Sequence, residues 1–128
     1  MNKLRILLAD DHDSFRSLLA SFLRSRPGVE VVGEAVDGED AIDQSSRLCP
    51  DLVLMDVRMP RRNGIEATRA IKARRPETRV VIMAMESSDT YRRSARAVAD
   101  GYIEKNSMKR SLVSLLTDEY ERSVRMAV

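Results

Sequence analysis

Four charged side chains stand just past short apolar runs: Asp10 and Asp11 after Leu4 to Ala9, Asp56 after Leu52 to Met55, and Lys105 two residues beyond Tyr102-Ile103. If those runs are strands of one sheet, the four groups meet in one crevice. Carboxylates crowded together repel and raise one another's pKa unless a cation sits among them. A hard divalent ion is therefore implied. Carboxylate oxygens, water and a phosphate suit Mg²⁺, while the absence of a His or Cys cluster argues against zinc. Asp56 is the natural nucleophile, because a carboxylate can accept a phosphoryl group while a metal and a lysine neutralise its equatorial oxygens. An Asp-Asp pair alone is usually a solvated helix start, so the chemistry rests on all four groups together.

The elements that must hold them follow from periodicity. Short apolar runs recur at Leu4 to Ala9, Val29 to Val32, Leu52 to Met55, Val80 to Ala84 and, more weakly, Tyr102 to Ile103, with helical stretches between them. Five strands alternating with five helices is the economical reading. In the first helix Phe15, Leu18, Leu19, Phe22 and Leu23 fall on one stripe, with Asp13 placed to cap its start and Pro27-Gly28 to end it. The spacing predicts later helices over Glu39 to Leu48, Gly64 to Arg75, Thr90 to Val98 and Lys109 to Val124. The last turns Leu112, Leu115, Leu116 and Tyr120 inward. Runs such as Ile6-Leu7-Leu8-Ala9 do not alternate apolar with polar, so both faces of those strands are covered, as in parallel central strands. The predicted fold is an α/β doubly wound sheet, whose ligand crevice lies beyond the carboxyl ends of its strands.

Composition excludes more than it selects. The 128 residues suit one domain, and 22 basic against 20 acidic side chains leave a net charge of +2, with no demand for nucleic acid. The longest apolar run, Val80 to Met85, is far below the ~18 residues of a membrane span, and Asp10-Asp11 interrupt any signal-peptide core. No membrane association is expected. Cys49 is alone, which fits a reducing cytoplasm and excludes a disulfide framework. It reads as a small buried residue near a helix end. No internal repeat or linker points to a second module.

Four segments make a resemblance specific. Leu8-Ala9-Asp10-Asp11-His12, Val32-Gly33-Glu34-Ala35 followed by Asp37-Gly38, Leu54-Met55-Asp56-Val57-Arg58-Met59-Pro60 with Asn63-Gly64, and Asp100-Gly101-Tyr102-Ile103-Glu104-Lys105 resemble the signatures of bacterial two-component response-regulator receiver domains, in the family's order. The likeness covers nearly the whole chain. It implies a flavodoxin-like (βα)5 fold, as in chemotaxis regulators, with a five-stranded parallel sheet in the order 2-1-3-4-5. It implies that Asp10 and Asp11 hold Mg²⁺, that Asp56 binds the metal and accepts the phosphoryl group, and that the backbone carbonyl of Arg58 completes the coordination. Lys105 would grip a phosphoryl oxygen, Met59-Pro60 and Gly64 would shape the exit loop, and Tyr102 would change rotamer on switching. The implied donor is a sensor histidine kinase, a phosphotransfer protein or a small phosphodonor. The implied reader of the fourth helix, fifth strand and fifth helix is a partner or a second copy forming a homodimer. The opening Asp-Asp-His and Val-Gly-Glu-Ala are most similar to receivers followed by a helix-turn-helix domain. No such pattern follows Val124, so residues 1–128 are expected to be a single receiver that reaches DNA only through an output domain outside this chain.

The chain also departs from the family. The hydroxyl that usually ends the fourth strand falls at Ala84 when counted from the strand's start and at Met83 when counted back from Lys105. Neither side chain donates. A hydrogen bond to a charged group is worth roughly 1.5–3 kcal/mol, comparable with the gap between two switch states, so switching could be blunted while phosphorylation persists. Ser87 and Ser88 read as caps of the fourth helix. Asn106 stands where many receivers have proline in a cis bond. Arg58 and Glu86 flank the phosphorylation site and either pair across its mouth or remain solvated separately. His12 reads as a surface residue at a helix start, and Arg92, Arg93 and Arg96 as a solvated basic face.

Two other functions compete with a signalling receiver. An aspartate-nucleophile phosphatase needs a general acid two residues after the nucleophile, and Arg58 cannot serve. A degenerate receiver would act as a phosphorylation-independent binding module, an idea supported by the missing hydroxyl and opposed by the intact Asp10, Asp11, Asp56 and Lys105. Direct DNA binding has no support, since basic residues are spread over every helix.

Overall fold

The computed structural model describes residues 3–85 and 89–127. Along the chain lie β1 (Leu4–Ala9), α1 (Asp13–Arg24), β2 (Val29–Ala35), α2 (Gly38–Leu48), β3 (Leu52–Asp56), α3 (Gly64–Arg74), β4 (Arg79–Ala84), α4 (Asp89–Val98), β5 (Gly101–Glu104), a 3-10 turn (Lys105–Ser107) and α5 (Met108–Ala127). All strand pairings are parallel and the sheet order is β2-β1-β3-β4-β5. The predicted doubly wound order is the observed one.

Strand residues of opposite parity feed two cores, which is why the central runs are apolar throughout. Leu7, Ala9, Val53, Met55, Val80 and Ile82 pack with Ala41 and Ile42 of α2, Ala67 and Ile71 of α3 and Ala95 of α4. Their neighbours of the other parity, Ile6, Leu8, Leu52, Leu54, Val81 and Met83, pack on Leu19 and Leu23 of α1 and on Leu112 and Leu116 of α5.

Several local expectations need correction. Leu18 is 65% exposed, because α1 turns only Leu19, Ala20 and Leu23 fully into the core, with Phe15 and Phe22 half-buried beside them. Asp13 is the first helical residue and not the cap; extended His12 takes the cap position without a side-chain capping bond, and Asp13 instead pairs with Arg16 at 2.8 Å. The helix ends at Arg24, before Pro27-Gly28, and Gly28 supplies the positive φ of the following turn. β2 extends to Ala35, three residues past the apolar run, because ladder pairing with β1 continues through Gly33 and Glu34. Cys49 is half-buried and caps α2 with a left-handed φ of 48°. No cis peptide occurs among the described residues, and Asn106 lies in the 3-10 turn. Ser87, Ser88 and Glu86 lie outside the described residues.

Candidate functional site

The carboxyl ends of β1, β3 and β5 bring Asp10, Asp11, Asp56 and Lys105 together. Asp10 follows β1 and is held there by its own N–H, which donates to Ala35 O at 3.0 Å, and by Arg16, whose Nη1 donates to Asp10 O at 2.7 Å. Asp56 is the last residue of β3 and is 2% exposed. The 3-10 turn after β5 folds Lys105 back inward, where Nζ lies 2.8 Å from Asp10 Oδ2, 3.2 Å from Asp56 Oδ1 and 4.5 Å from the centre of the Phe15 ring. Asp56 Oδ2 is buried without a hydrogen-bond partner. Burial first, and then the neighbouring Asp10 charge, push the Asp56 carboxyl up to about 6 although Lys105 pulls it down. Two buried carboxylates and a third at the rim exceed the charge of one lysine, so this donor set fits a divalent cation.

The loop from Val57 to Asn63 forms the outer wall. Asn63 and Glu66 make a capping box at the start of α3, and Gly64 N–H donates to Val57 O at 3.0 Å. Gly64 packs so tightly on the Asp56 carbonyl that a Cβ there would overlap it. Gly64→Ala is therefore expected to destabilise the fold by about 1–3 kcal/mol in urea unfolding, with the loop after Asp56 displaced. An unchanged unfolding midpoint would contradict that packing. Across the loop, Arg61 Nε approaches Asp37 at 3.7 Å, and Arg62 Nε pairs with Glu39 at 2.6 Å, tying the wall to the start of α2. A cleft of about 410 Å³ beside it is lined by Asp11, Val57, Arg58, Met59, Asn63 and Ile65. A larger cleft, about 870 Å³, opens at the amino ends of the strands. There Lys72 and Arg79 pair with Asp100, and Arg79 also pairs with Glu119, so its charges largely satisfy one another.

Met83 stands opposite Asp56 in the ladder and its carbonyl accepts from Val57 N–H at 3.1 Å; Ala84 is the last residue of β4, opposite Glu104. The two ways of counting in the sequence thus name two adjacent positions at the site's edge, neither bearing a hydroxyl. Tyr102 is half-buried against the α2–α4 core, with the Arg92 guanidinium 5.7 Å from its ring centre, and Arg92 also donates to Glu104 at 3.0 Å. Burial raises the Tyr102 pKa.

Sequence reasoning did not single out Arg16, and it read His12 as a surface residue, which its 60% exposed side chain is. His12 Nδ1 lies 3.1 Å from Asp10 Oδ1, 3.3 Å from Asp11 Oδ1 and 3.8 Å from Asp56 Oδ2, at the open rim of the acidic cluster. Its place directly after the acidic pair was the available signal. Arg16, one helical turn beyond, joins the Asp10 carbonyl to Asp13 and Glu34.

Residues 6–117 match the family described as the response regulator receiver domain. The chain belongs to that family. This receiver is 36% identical over 120 residues to the response regulator protein VraR of Staphylococcus epidermidis, a match covering 92% of this chain and 57% of that protein. It is 38% identical over 90 residues to the transcriptional regulatory protein DegU of Brevibacillus brevis, covering 70% of this chain and 38% of that protein. The chain thus spans about half, or less, of these curated relatives. The crystal structure of a two-component response regulator of the LuxR family from Aurantimonas sp. SI85-9A1 superposes with a TM-score of 0.87 at 33% identity, covering 94% of this chain and 86% of that one. Among the described residues no helix is long and apolar enough to cross a membrane.

Proposed function

We propose that this receiver is a phosphoacceptor switch in which Asp56 takes a phosphoryl group from a histidine kinase, a phosphotransfer protein or a small phosphodonor. The observation that carries this reading is the asymmetry of Asp56: Oδ1 faces Lys105 at 3.2 Å, while Oδ2 is buried and has no hydrogen-bond partner. One oxygen is charge-compensated and the other is available as nucleophile. Attack by Asp56 on phosphorus forms an acyl phosphate as the donor's bond to phosphorus breaks and its electron pair leaves with the donor. Lys105 compensates charge gained on the phosphoryl oxygens. Asp10, Asp11, Asp56 and the Arg58 carbonyl would hold Mg²⁺, which when bound neutralises phosphoryl charge. Attack by water on the acyl phosphate returns Asp56 and inorganic phosphate, so the domain assists only its own turnover and is not an enzyme on other substrates.

A changed surface on α4, β5 and α5, with Tyr102 beneath Arg92, would be read by a partner or by a second copy in a homodimer. A role in transcriptional regulation fits the name of one relative, and the reading adds a cytoplasmic receiver that acts through an output domain outside residues 1–128. The missing hydroxyl at Ala84 or Met83 favours one second reading, a phosphorylation-independent binding module.

The deciding test is intact mass after incubation with acetyl phosphate, with and without Mg²⁺, using Asp56→Asn as control. A Mg²⁺-dependent gain of one phosphoryl group, absent in the variant, is expected. No gain in the unaltered chain, together with no Mg²⁺ binding, would replace the switch with the binding module.

A further inference from the structure

Two carboxylates and one aromatic ring surround the Lys105 ammonium. Nζ lies 2.8 Å from Asp10 Oδ2 and 3.2 Å from Asp56 Oδ1, and it sits over the face of Phe15, 4.5 Å from the ring centre. The lysine side chain is 3% exposed. An ammonium carries three N–H donors, and the two carboxylate oxygens account for two of them. The ring face, which is electrostatically negative, attracts the charge from a third side within the range of a cation–π contact. Phe15 and Lys105 both line a cleft of about 500 Å³ between α1 and α5, so without the ring the ammonium would be open to water there. The ring is itself held in place, half-buried on α1 against the core that contains Leu19 and Leu112.

We propose that Phe15 is a positioning residue for phosphoryl transfer, its ring face keeping the Lys105 ammonium in the pocket when the neighbouring carboxylates are engaged with other charge. The proposal rests on the phosphoacceptor reading and adds one residue to it. In the metal-free chain Asp10 and Asp56 hold Lys105 by opposite charge. A divalent ion on those carboxylates weakens that attraction, and the flexible four-carbon stem of lysine could then carry its head into the cleft. The ring face neither ligates such an ion nor titrates, so its hold on Lys105 persists. Phe15 thus acts on the rate through Lys105, by raising the fraction of molecules whose ammonium is ready to compensate phosphoryl charge. The apolar stripe of α1 accounts for an aromatic or aliphatic residue at position 15; the contact with Lys105 is what requires a π face.

Fluorinated phenylalanines test this, because they nearly keep the size of the ring while draining its face of negative charge step by step. The other phenylalanine, Phe22, lies with Arg26 at 5.7 Å from its ring centre and serves as the control position. Initial rates of Asp56 phosphorylation by acetyl phosphate in saturating Mg²⁺ are expected to fall progressively through the mono-, di- and trifluorinated rings at Phe15, by about 3–30-fold at the last, while the same series at Phe22 changes them by less than about two-fold. A second readout needs no phosphodonor. With ¹³C-labelled lysine, the Lys105 ε-methylene signal is expected to be shifted upfield by the ring both without and with Mg²⁺, and to lose that shift in Phe15→Leu. A rate that stays flat across the Phe15 series, a fall matched by the Phe22 series, or an upfield shift that disappears on adding Mg²⁺ would overturn the role of Phe15 and leave Asp56 and Lys105 in theirs. No phosphorylation of the unaltered chain would remove the phosphoacceptor reading and this inference together.

Discussion

Replacing Asp56 by asparagine is expected to abolish phosphoryl acceptance and, at the same time, to make the metal-free chain more stable at pH 7. Asparagine preserves the size of the side chain but removes a charge that sits 2% exposed beside Asp10. The Asp56 carboxyl, ordinarily near 3.8, is raised to about 6 by burial and by Asp10. A raised carboxyl pKa means that the folded state binds the proton more tightly than the unfolded state, so ionisation destabilises the fold. The penalty is fully present above the folded value, shrinks as pH falls from about 6 towards 3.8, and is absent below it. That gap corresponds to up to about 3 kcal/mol at neutral pH. Urea unfolding of both proteins between pH 4 and 8 measures it. The variant's advantage should grow as pH rises from about 4 to about 6, level off above that, and shrink in saturating Mg²⁺, where the aspartate regains a counter-charge. A variant less stable than the original at pH 7 would show that the Lys105 contact outweighs the burial of Asp56.

Lys105→Ala should have the opposite sign. Nζ is enclosed between Asp10 and Asp56 at 2.8 and 3.2 Å, with its side chain 3% exposed. Removing one partner of a buried ion pair leaves uncompensated charge and typically costs about 3–5 kcal/mol. Phosphorylation of Asp56 should also slow by about 10²–10³-fold, the usual effect of deleting one preorganised charge from a transition state. Mg²⁺ should recover part of the stability, because a cation among the carboxylates replaces some of the lost charge, but not the rate. Stability and acetyl phosphate kinetics in the same buffer separate the two effects. An unchanged unfolding midpoint would mean that water already compensates these carboxylates.

The fold was legible in the sequence to the extent that local pattern dictates it. Non-alternating runs such as Leu52-Val53-Leu54-Met55 can persist only where both faces are covered, and the observed strands feed two cores through alternate residues. Element ends were less legible, because pairing and packing settle them. β2 continues through polar Glu34 since β1 offers ladder partners, and α1 leaves Leu18 outside because the neighbouring elements do not cover that side.

For the site, the sequence alone determined which groups gather: an acidic pair, a lone aspartate and a lysine, each just past a strand of a parallel sheet, must share one end of it. Only the tertiary structure decided how they share it. Lys105 touches one oxygen of Asp56 and leaves the other without a hydrogen-bond partner, Gly64 is pressed against the Asp56 carbonyl, and the His12 ring lies beside the carboxylates. Strand order fixes which residues are neighbours; the rotamers and distances that set charge and coordination come from side chains packing across segments far apart in the chain.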